Sequence, residues 1–396
     1  MLNTPFAPWP CYTEEEAEAV RAVLLSNRVN YWTGNECRQF EQEFASWAGT
    51  EYAICVANGT VALDLAFIAL GIGSGDEVIV TPRTFLASAS AIVNAGARPV
   101  FADVDRDSQN ITAATIRKVL SPRTKGIVCV HLAGWPCEMD DIMALAEEHG
   151  LLVVEDCAQA HGARYKGRPV GSLGHVAAWS FCQDKIMTTG GEGGMITTND
   201  KALWSAMWSF KDHGKSWEAV YQRQHPAGFR WVHESFGTNW RMTEMQAAIG
   251  RIQLRRIADW HAQRAANINA IWTAAERLPG LRAPRPPSHI EHGAYKCYVF
   301  VEPEHLRPGW NRDRILEEIN ARNVPCYVGS CSEVYLEKAF DGTSFRPDLP
   351  LPTARELGDT SLMFLVHPGL TRAQIEQTCA ALTEVMSDAT GKPHAC

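Results

Sequence analysis

The sequence predicts an α/β protein with a large domain, built on a mostly parallel central sheet, and a smaller C-terminal α/β domain. Short runs rich in Val and Ile alternate with helical segments through the middle of the chain, which is typical of βαβ units. After residue 245 the pattern changes to a long helix, a proline-rich break and further apolar runs. The 396 residues are enough for both domains.

Six apolar runs predict the central sheet. They are residues 76–82, 98–104, 126–132, 151–156, 176–181 and 193–199. A helix over 139–150 separates the third run from the fourth, whereas no long helix separates the last two. Because strands buried on both faces of a sheet read as continuous apolar runs, we expect helices on both sides of it. A further helix, over 13–25, begins at a capping threonine.

The second domain is predicted from the last 150 or so residues of the chain. Residues 245–278 form one long helical pattern, and RAPRPP at 282–287 interrupts it. The apolar run CYVFVE at 297–302 then opens a new α/β segment. We therefore assign residues 1–245 to the large domain, and 246–396 to a linking helix and the small C-terminal domain.

Composition argues against several classes of protein. The formal net charge of −8 comes from interleaved acidic and basic residues, so nucleic acid is not an expected partner. Apolar runs such as 61–73 contain a charge or glycines, so no membrane span is expected. The stretch MLNTPFAPWP lacks the pattern of a secretory signal. Twelve irregularly spaced cysteines favour reduced thiols over disulfides or a zinc site, and together these features predict a cytoplasmic protein.

The residues suited to chemistry follow apolar runs, which is where open α/β sheets bind ligands. Gly59 and Thr60 follow the run 53–57 and open a helix. The glycine allows the backbone to approach a ligand, and free amides at a helix start attract an anion such as phosphate. The Thr60 hydroxyl adds a donor. An ordinary helix cap is the alternative interpretation.

Two titratable residues stand at other strand ends. Asp156 closes a run so apolar that its carboxylate should be partly buried, and it then needs a partner such as a protonated ring nitrogen. Gln159 stands three residues further on. Ser180 precedes Lys185 by five residues, so a hydroxyl and an amine could serve a phosphate and a carbonyl in one pocket. The alternatives are an aspartate that caps a turn and a surface lysine.

One small molecule would explain these features together. The glycine-rich loop 188–194 matches neither a P-loop nor a dinucleotide fold, and indicates only a sharp turn. Phe85 follows another strand, and by itself is best interpreted as a core aromatic. Pyridoxal phosphate would use all of them, because its aldehyde forms a Schiff base with lysine and its ring is an electron sink. The aspartate, the helix start and the aromatic would hold its ring nitrogen, phosphate and ring face.

Three segments, 154–174, 180–200 and 237–254, resemble the signatures of the DegT/StrS family of sugar aminotransferases. The resemblance runs nearly from end to end, through 31–63, 78–88 and 361–371. It implies a pyridoxal-phosphate enzyme of fold type I, the aspartate-aminotransferase-like fold. It also implies a homodimer whose active sites are built from both chains.

The resemblance implies the reaction and its central residues. Lys185 matches the lysine that holds the cofactor as a Schiff base and moves the proton. Asp156 matches the partner of the pyridine nitrogen, and Gln159 lies beside the ring. The implied reaction is a ping-pong transamination from L-glutamate to a keto-sugar, with a nucleotide-linked keto-6-deoxyhexose as the expected acceptor.

The resemblance also implies how the cofactor is held. Gly59, Thr60 and Ser180 match the phosphate-binding positions. Phe85 matches the aromatic residue that stacks on the ring. Asn239 matches an asparagine that reaches the phosphate of the neighbouring subunit's cofactor.

Three other functions compete with this one. A keto-cyclitol aminotransferase would use L-glutamine as donor, and a regulatory protein would bind pyridoxal phosphate without turnover. The sugar 3-dehydratase branch of the family carries histidine at the position of Lys185, so the sequence argues against it. His161, His213, Tyr31 and Tyr295 stay open between a place in the sugar pocket and a structural role.

Overall fold

The computed structural model describes residues 6–391. The outer ends of the two predicted domains, residues 1–5 and 392–396, lie outside the described part, and so does the first half of the stretch MLNTPFAPWP. The helices are α1 (Glu14–Leu25), α2 (Glu36–Ala48), α3 (Gly59–Ala69), α4 (Ala87–Asn94), α5 (Ala113–Arg117), α6 (Met139–His149), α7 (Lys201–Phe210), α8 (Trp217–Tyr221), α9 (Glu244–Ala275), α10 (Arg312–Ala321), α11 (Pro352–Thr360) and α12 (Arg372–Thr390). The strands are β1 (Tyr52–Val56), β2 (Glu77–Val80), β3 (Arg98–Phe101), β4 (Thr124–Val130), β5 (Leu152–Asp156), β6 (Arg164–Tyr165), β7 (Arg168–Pro169), β8 (Val176–Ser180), β9 (Gly194–Thr198), β10 (Leu281–Arg282), β11 (Ile290–Glu291), β12 (Cys297–Val301), β13 (Cys326–Tyr327) and β14 (Ser361–Phe364).

A seven-stranded sheet in the order β1-β9-β8-β5-β4-β2-β3 forms the centre of the larger part. Strands β8, β5, β4, β2 and β3 pair in parallel, and β9 alone runs in the direction opposite to the other six strands of this sheet. Every residue of β2, β8 and β9 is buried, as expected for strands covered on both faces. The predicted mostly parallel α/β sheet is confirmed, and each of its six predicted runs overlaps a strand.

The start of α3 lies directly against the first residue of β9, Gly194. A Cβ atom on Gly194 would lie 2.4 Å from the carbonyl oxygen of Asn58, so only glycine permits this approach. The following residues of α3, including Leu63 and Phe67, are buried in the core beneath the sheet. This contact fixes the first turn of α3 beside the carboxyl end of β8.

A second sheet, in the antiparallel order β10-β12-β14-β13, forms the smaller part. Helix α9 connects it to the larger part, because Ala247 near its start belongs to the first core and Ile271 near its end belongs to the second. A capping box between Thr243 and Gln246 begins this helix. The predicted boundary after residue 245 falls in the first turn of α9, and the division into two domains stays a prediction.

The two parts also meet in a three-stranded sheet of order β11-β6-β7, in which Ile290 pairs with Tyr165. Every cysteine between residues 6 and 391 is a free thiol, and Cys396 lies beyond that range. Within the same range, no helix combines the length and the apolar character that crossing a membrane requires.

Candidate active site

A cavity of about 1620 Å³ lies at the carboxyl ends of β5 and β8, beside the starts of α3 and α4. It is lined by seven of the predicted site residues: Gly59, Thr60, Phe85, Asp156, Gln159, Ser180 and Lys185. Asn239 is not part of this wall; it lies before α9, in a β-bridge with Asp212. The larger sheet supplies one side of the cavity, and residues near β12 and β14, such as Tyr295 and His367, supply the other.

The start of α3 offers unused amides to the cavity. Asn58 caps the helix, and its side-chain oxygen accepts a hydrogen bond of 2.9 Å from the amide of Val61. The amides of Gly59 and Thr60 precede the first hydrogen bonds within the helix and stay available to a ligand. The cap interpretation is therefore correct for Asn58, while the next two residues form a cradle suited to an anion.

Ser180 closes this cradle from the side of the sheet. A Cβ atom on Gly59 would lie 2.6 Å from the Cβ atom of Ser180, so helix and strand touch at this point. Ser180 is 8% exposed, and its hydroxyl accepts a hydrogen bond of 3.3 Å from the amide of Cys182. The hydroxyl proton can therefore be donated to an anion bound at the helix start.

The close contact at Gly59 gives a direct test of the cradle. We expect Gly59→Ala to weaken cofactor binding at least tenfold, about 1.4 kcal/mol, because the new methyl group must displace Ser180 or the helix start. Titration of the apoenzyme with pyridoxal phosphate, followed by fluorescence, measures the change. Gly73→Ala is the matched control, since its nearest contact would be an ordinary 3.5 Å. Equal affinities of the two variants would contradict the cradle.

Asp156 is held at the end of β5 by two hydrogen bonds. Its Oδ2 atom accepts from the hydroxyl of Ser88 at 2.8 Å, and its Oδ1 atom accepts from the amide of Ala158 at 3.1 Å. The residue is only 7% exposed, so the carboxylate is fixed in a largely dry wall. It therefore caps a turn, as the alternative interpretation held, and it also faces the cavity, where a buried carboxylate favours a cationic partner.

Gln159 supports the neighbouring turn as well as lining the cavity. Its side-chain oxygen accepts a hydrogen bond of 2.8 Å from the amide of Ala133. Ala133 has a φ of 56°, a left-handed conformation that is unfavourable for a residue with a Cβ atom. The hydrogen bond helps to hold this strained turn against the site.

Lys185 lies in the cavity wall over an aromatic ring. Its Nζ atom is 5.4 Å from the ring centroid of Tyr295, and its carbonyl oxygen accepts a hydrogen bond of 2.8 Å from the indole of Trp9. The Tyr295 hydroxyl in turn donates to Asp184 at 2.5 Å. Burial favours a higher pKa for Asp184, but the Lys185 charge and the Tyr295 hydrogen bond outweigh it and lower that pKa. Lys185 is therefore not a free surface lysine.

Phe85 is 71% exposed, and its ring lines the cavity. The interpretation as a core aromatic is wrong, because the chain turns outward after β2 and places the ring above the end of the sheet. A large apolar ring exposed inside a cavity is suited to contact a flat apolar ligand surface.

Three of the residues left open by the sequence are not in the wall. Tyr31 and His161 are fully buried in the core, and His213 lies in the loop after α7. Both ring nitrogens of His161 have no hydrogen-bond partner among the described residues, and the ring packs 5.2 Å from that of Trp179. Burial, with the charges of Lys185 and Arg264 acting in the same direction, lowers the pKa of His161 to about 3.

Neutral, buried His161 predicts a dependence of stability on pH. Its pKa in the folded state lies below the usual 6.5, so the unfolded chain binds the extra proton as the pH falls from about 6.5 towards 3, and stability is lost in that window. We expect His161→Leu to reduce the slope of unfolding free energy against pH by up to about 1.4 kcal/mol per unit. Urea unfolding at several values between about pH 5 and pH 7 measures this slope. His305→Leu, which replaces an exposed histidine, is the control. If His161→Leu changes the slope no more than His305→Leu does, the prediction is contradicted.

His131, Glu155 and Cys157 form a buried cluster behind the site whose ligand atoms lie within 4.8 Å of one another. Glu155 already accepts hydrogen bonds from His131 at 3.0 Å and from the amides of Gly171, Leu173 and Gly174 at 2.7–2.8 Å. These bonds occupy the carboxylate that a metal ion would need. We therefore interpret the cluster as a support for β5, which carries Asp156.

The sequence did not indicate four side chains of this region: Ser88, Trp9, Lys296 and His367. Ser88 follows Thr84 by one helical turn, and its hydroxyl lies 2.9 Å from that of Thr84, a spacing that could have suggested a role beside Phe85. The other three come from the N-terminal segment and from beside β12 and β14. No local pattern links them to the end of the larger sheet.

The cavity thus combines an amine, a fixed carboxylate, an anion cradle and an exposed aromatic ring. Pyridoxal phosphate carries the complementary groups: an aldehyde, a basic ring nitrogen, a phosphate and a flat ring face. The tight approach of Gly59 to Ser180 and the amides at the start of α3 fit its phosphate. On an α/β fold with this sheet, the site is that of a pyridoxal-phosphate-dependent enzyme.

Comparison with known proteins agrees. The model of the DegT/DnrJ/EryC1/StrS aminotransferase family matches residues 10–383, and the chain belongs to this family. The solved structure of the aminotransferase from Psychrobacter cryohalolentis is 62% identical, with a TM-score of 0.95, and the match covers 97% of this chain and 100% of that one. The predicted family and the fold are therefore confirmed.

Two relatives are named for their products or substrates. GDP-perosamine synthase from Escherichia coli O157:H7 is 34% identical over 96% of this chain and 98% of its own length. The dTDP-3-amino-3,4,6-trideoxy-alpha-D-glucose transaminase from Streptomyces venezuelae is 34% identical over 96% and 97%. The chain is a sugar aminotransferase with pyridoxal phosphate as its cofactor, and when bound the cofactor supplies the electron sink that transamination requires.

Proposed function

We propose that this enzyme transfers the amino group of L-glutamate to a nucleotide-linked keto-6-deoxyhexose in a ping-pong reaction. The observation that carries the proposal is the single cavity in which Lys185, Asp156 and the amides of Gly59 and Thr60 meet. The names of the two relatives favour the acceptor, since both describe nucleotide-linked compounds and one of them a 3,4,6-trideoxy amino sugar. A cavity of about 1620 Å³ has room for a substrate of this size.

The proposal gives each group of the cofactor a holder. Gly59, Thr60 and Ser180 hold the phosphate through two amides and two hydroxyls. Asp156 keeps the pyridine nitrogen protonated, and Phe85 covers a face of the ring.

Lys185 holds the cofactor's aldehyde carbon and, once released, carries a proton between substrate and cofactor as general base and acid. The hydrogen bond from Trp9 to its carbonyl oxygen fixes its backbone, while the side chain keeps its freedom over Tyr295. Gln159 lies beside the pyridine ring of the cofactor, and its hydrogen bond to the amide of Ala133 holds the turn there.

We further propose a homodimer with shared sites. The segment that leads to Asn239 exposes three large apolar side chains: Phe229 at 76%, Trp231 at 81% and Phe236 at 100%. Such exposure favours contact with a second copy, in which Asn239 would reach the other cofactor's phosphate. Sedimentation of the holoenzyme should give a dimer, and Phe236→Ser with Trp231→Ser should weaken it; a monomeric wild type would contradict the proposal.

The free thiols support a cytoplasmic location.

Half-reactions test the proposed reaction. L-Glutamate added to the holoenzyme should bleach the cofactor's absorbance and release 2-oxoglutarate, and dTDP- or GDP-linked 4-keto-6-deoxyhexose should then restore it with formation of an amino sugar. Bleaching by L-glutamine alone, with restoration by a keto-cyclitol, would favour that rival. A holoenzyme that reacts with no amino donor would support the regulatory protein instead.

A further inference from the structure

An arginine without an acidic partner is buried behind the cavity. Arg264 of α9 is 1% exposed, and no carboxylate of residues 6–391 acts on its charge. Its Nη1 atom makes only long contacts of 3.4 Å with the carbonyl oxygens of Ala294 and Tyr295, and its Nε and Nη2 atoms have no hydrogen-bond partner in that range. A buried charge with unused donors is costly unless a ligand satisfies it.

The side chains around Arg264 line the cavity. Its guanidinium carbon lies 5.0 Å from the ring centroid of Trp9, and Trp9 stacks on His367 with ring centroids 5.7 Å apart. Lys296 follows Tyr295 and extends its amine to 4.8 Å from the Tyr295 ring centroid. All of these neighbours belong to the cavity wall, so the arginine stands one layer behind it.

The amines of Lys185 and Lys296 lie over the same ring, that of Tyr295. This places a second cation beside the lysine on which amino transfer depends. The charge of Arg264 acts on both Lys296 and His367. Burial, together with the charges of Arg264 and Lys185, lowers the pKa of Lys296 to about 8, although Asp184 acts against this shift. Around the Tyr295 ring, the cations of Lys185, Lys296 and Arg264 stand against one carboxylate, that of Asp184, so an anion would balance the remaining positive charge on this side of the cavity.

We propose that Lys296, supported from behind by Arg264, forms the subsite for a carboxylate of the amino donor. The inference rests on the proposed function, in which an amino acid must place its nitrogen at Lys185. The ring of Tyr295 spaces the two amines, so that one end of a short acid can be held at Lys296 while the other meets Lys185.

Two other interpretations make different predictions. If Arg264 only ties the backbone at Ala294 and Tyr295, its loss should affect folding and not the affinity for acids. If the subsite takes the diphosphate of a nucleotide sugar, phosphate ligands should depend on Lys296 more than carboxylates do. A diphosphate is the less favoured occupant, because Lys296 stands beside Lys185, where the small reacting groups meet.

Glutarate, a dicarboxylate without an amine, tests the subsite by calorimetric titration into the holoenzyme. We expect wild type to bind glutarate, Lys296→Met to weaken it about tenfold or more, and Lys296→Arg to restore most of the affinity, as expected for a charge-assisted contact. Lys201→Met, at an exposed position of α7, should change nothing. Inorganic pyrophosphate, titrated in parallel, should bind wild type and Lys296→Met alike.

The outcomes separate this inference from the proposed function. Glutarate affinity equal in wild type and Lys296→Met, or absent in wild type, would overturn the subsite even if L-glutamate still reacts. A loss of pyrophosphate affinity without a loss for glutarate would overturn it as well. Conversely, glutarate binding could depend on Lys296 while L-glutamate fails to bleach the cofactor's absorbance. That result would support the subsite and contradict L-glutamate as the proposed donor. Arg264→Met should lose the same affinity for glutarate as Lys296→Met. The absorbance of its bound cofactor reports whether the Arg264→Met variant folds.

Discussion

Lys185→Ala should reduce the rate of amino transfer by at least about 10⁴-fold, because it removes both the covalent attachment of the cofactor and the group that moves the proton. The cradle at Gly59 and the carboxylate of Asp156 stay in place, so the variant should still bind pyridoxal phosphate, with an absorbance band of the unattached cofactor. Formation of amino sugar over hours, compared with wild type, measures the loss.

Lys118→Ala is the control for this variant, since Lys118 is exposed at the end of α5 and far from the cavity. Its turnover should equal that of wild type. Near-normal transfer by Lys185→Ala would assign the reaction to another amine, and Lys296 would then be the first to examine.

Asp156→Asn should lower kcat by about 10²- to 10³-fold, because a neutral amide cannot stabilise positive charge on the ring nitrogen. The hydroxyls of Thr84 and Ser88 lie 2.9 Å apart and can reverse their hydrogen bond, so the new amide finds partners and the fold should be kept. Pre-steady-state bleaching by L-glutamate isolates the affected step from later ones.

The surface variant Asp140→Asn provides the comparison, since it loses only exposed ion pairs with Lys166 and Arg168. It should react as wild type does. An Asp156→Asn enzyme within a few-fold of wild type would contradict the proposed role of this carboxylate, whatever its affinity for the cofactor.

The sequence predicted residues that line the cavity where they follow the strands of one sheet. Asp156 and Ser180 end β5 and β8, and Phe85 follows β2, so the carboxyl ends of parallel strands bring them together. Runs of Val and Ile marked those strands clearly. Very short strands such as β6 and β13, with two residues each, left no period that a sequence pattern could reveal.

The opposite wall could not be predicted in the same way. Trp9 and Lys296 reach the cavity through tertiary contacts that span most of the chain, and nothing local marks them. Arg264 left one signal: it follows Ile257 by seven residues and precedes Ile268 by four, which places it on the buried face of α9. A charged residue at a buried helical position is a reason to look for its partner.

The central claim, that Lys185 holds the cofactor, has one most direct test. The holoenzyme is reduced with borohydride and digested, and the mass of each lysine-containing peptide is measured. The peptide that contains Lys185 should carry the added mass of the reduced cofactor, with none on the peptide that contains Lys296. Label on any other lysine, or on none, would contradict the account.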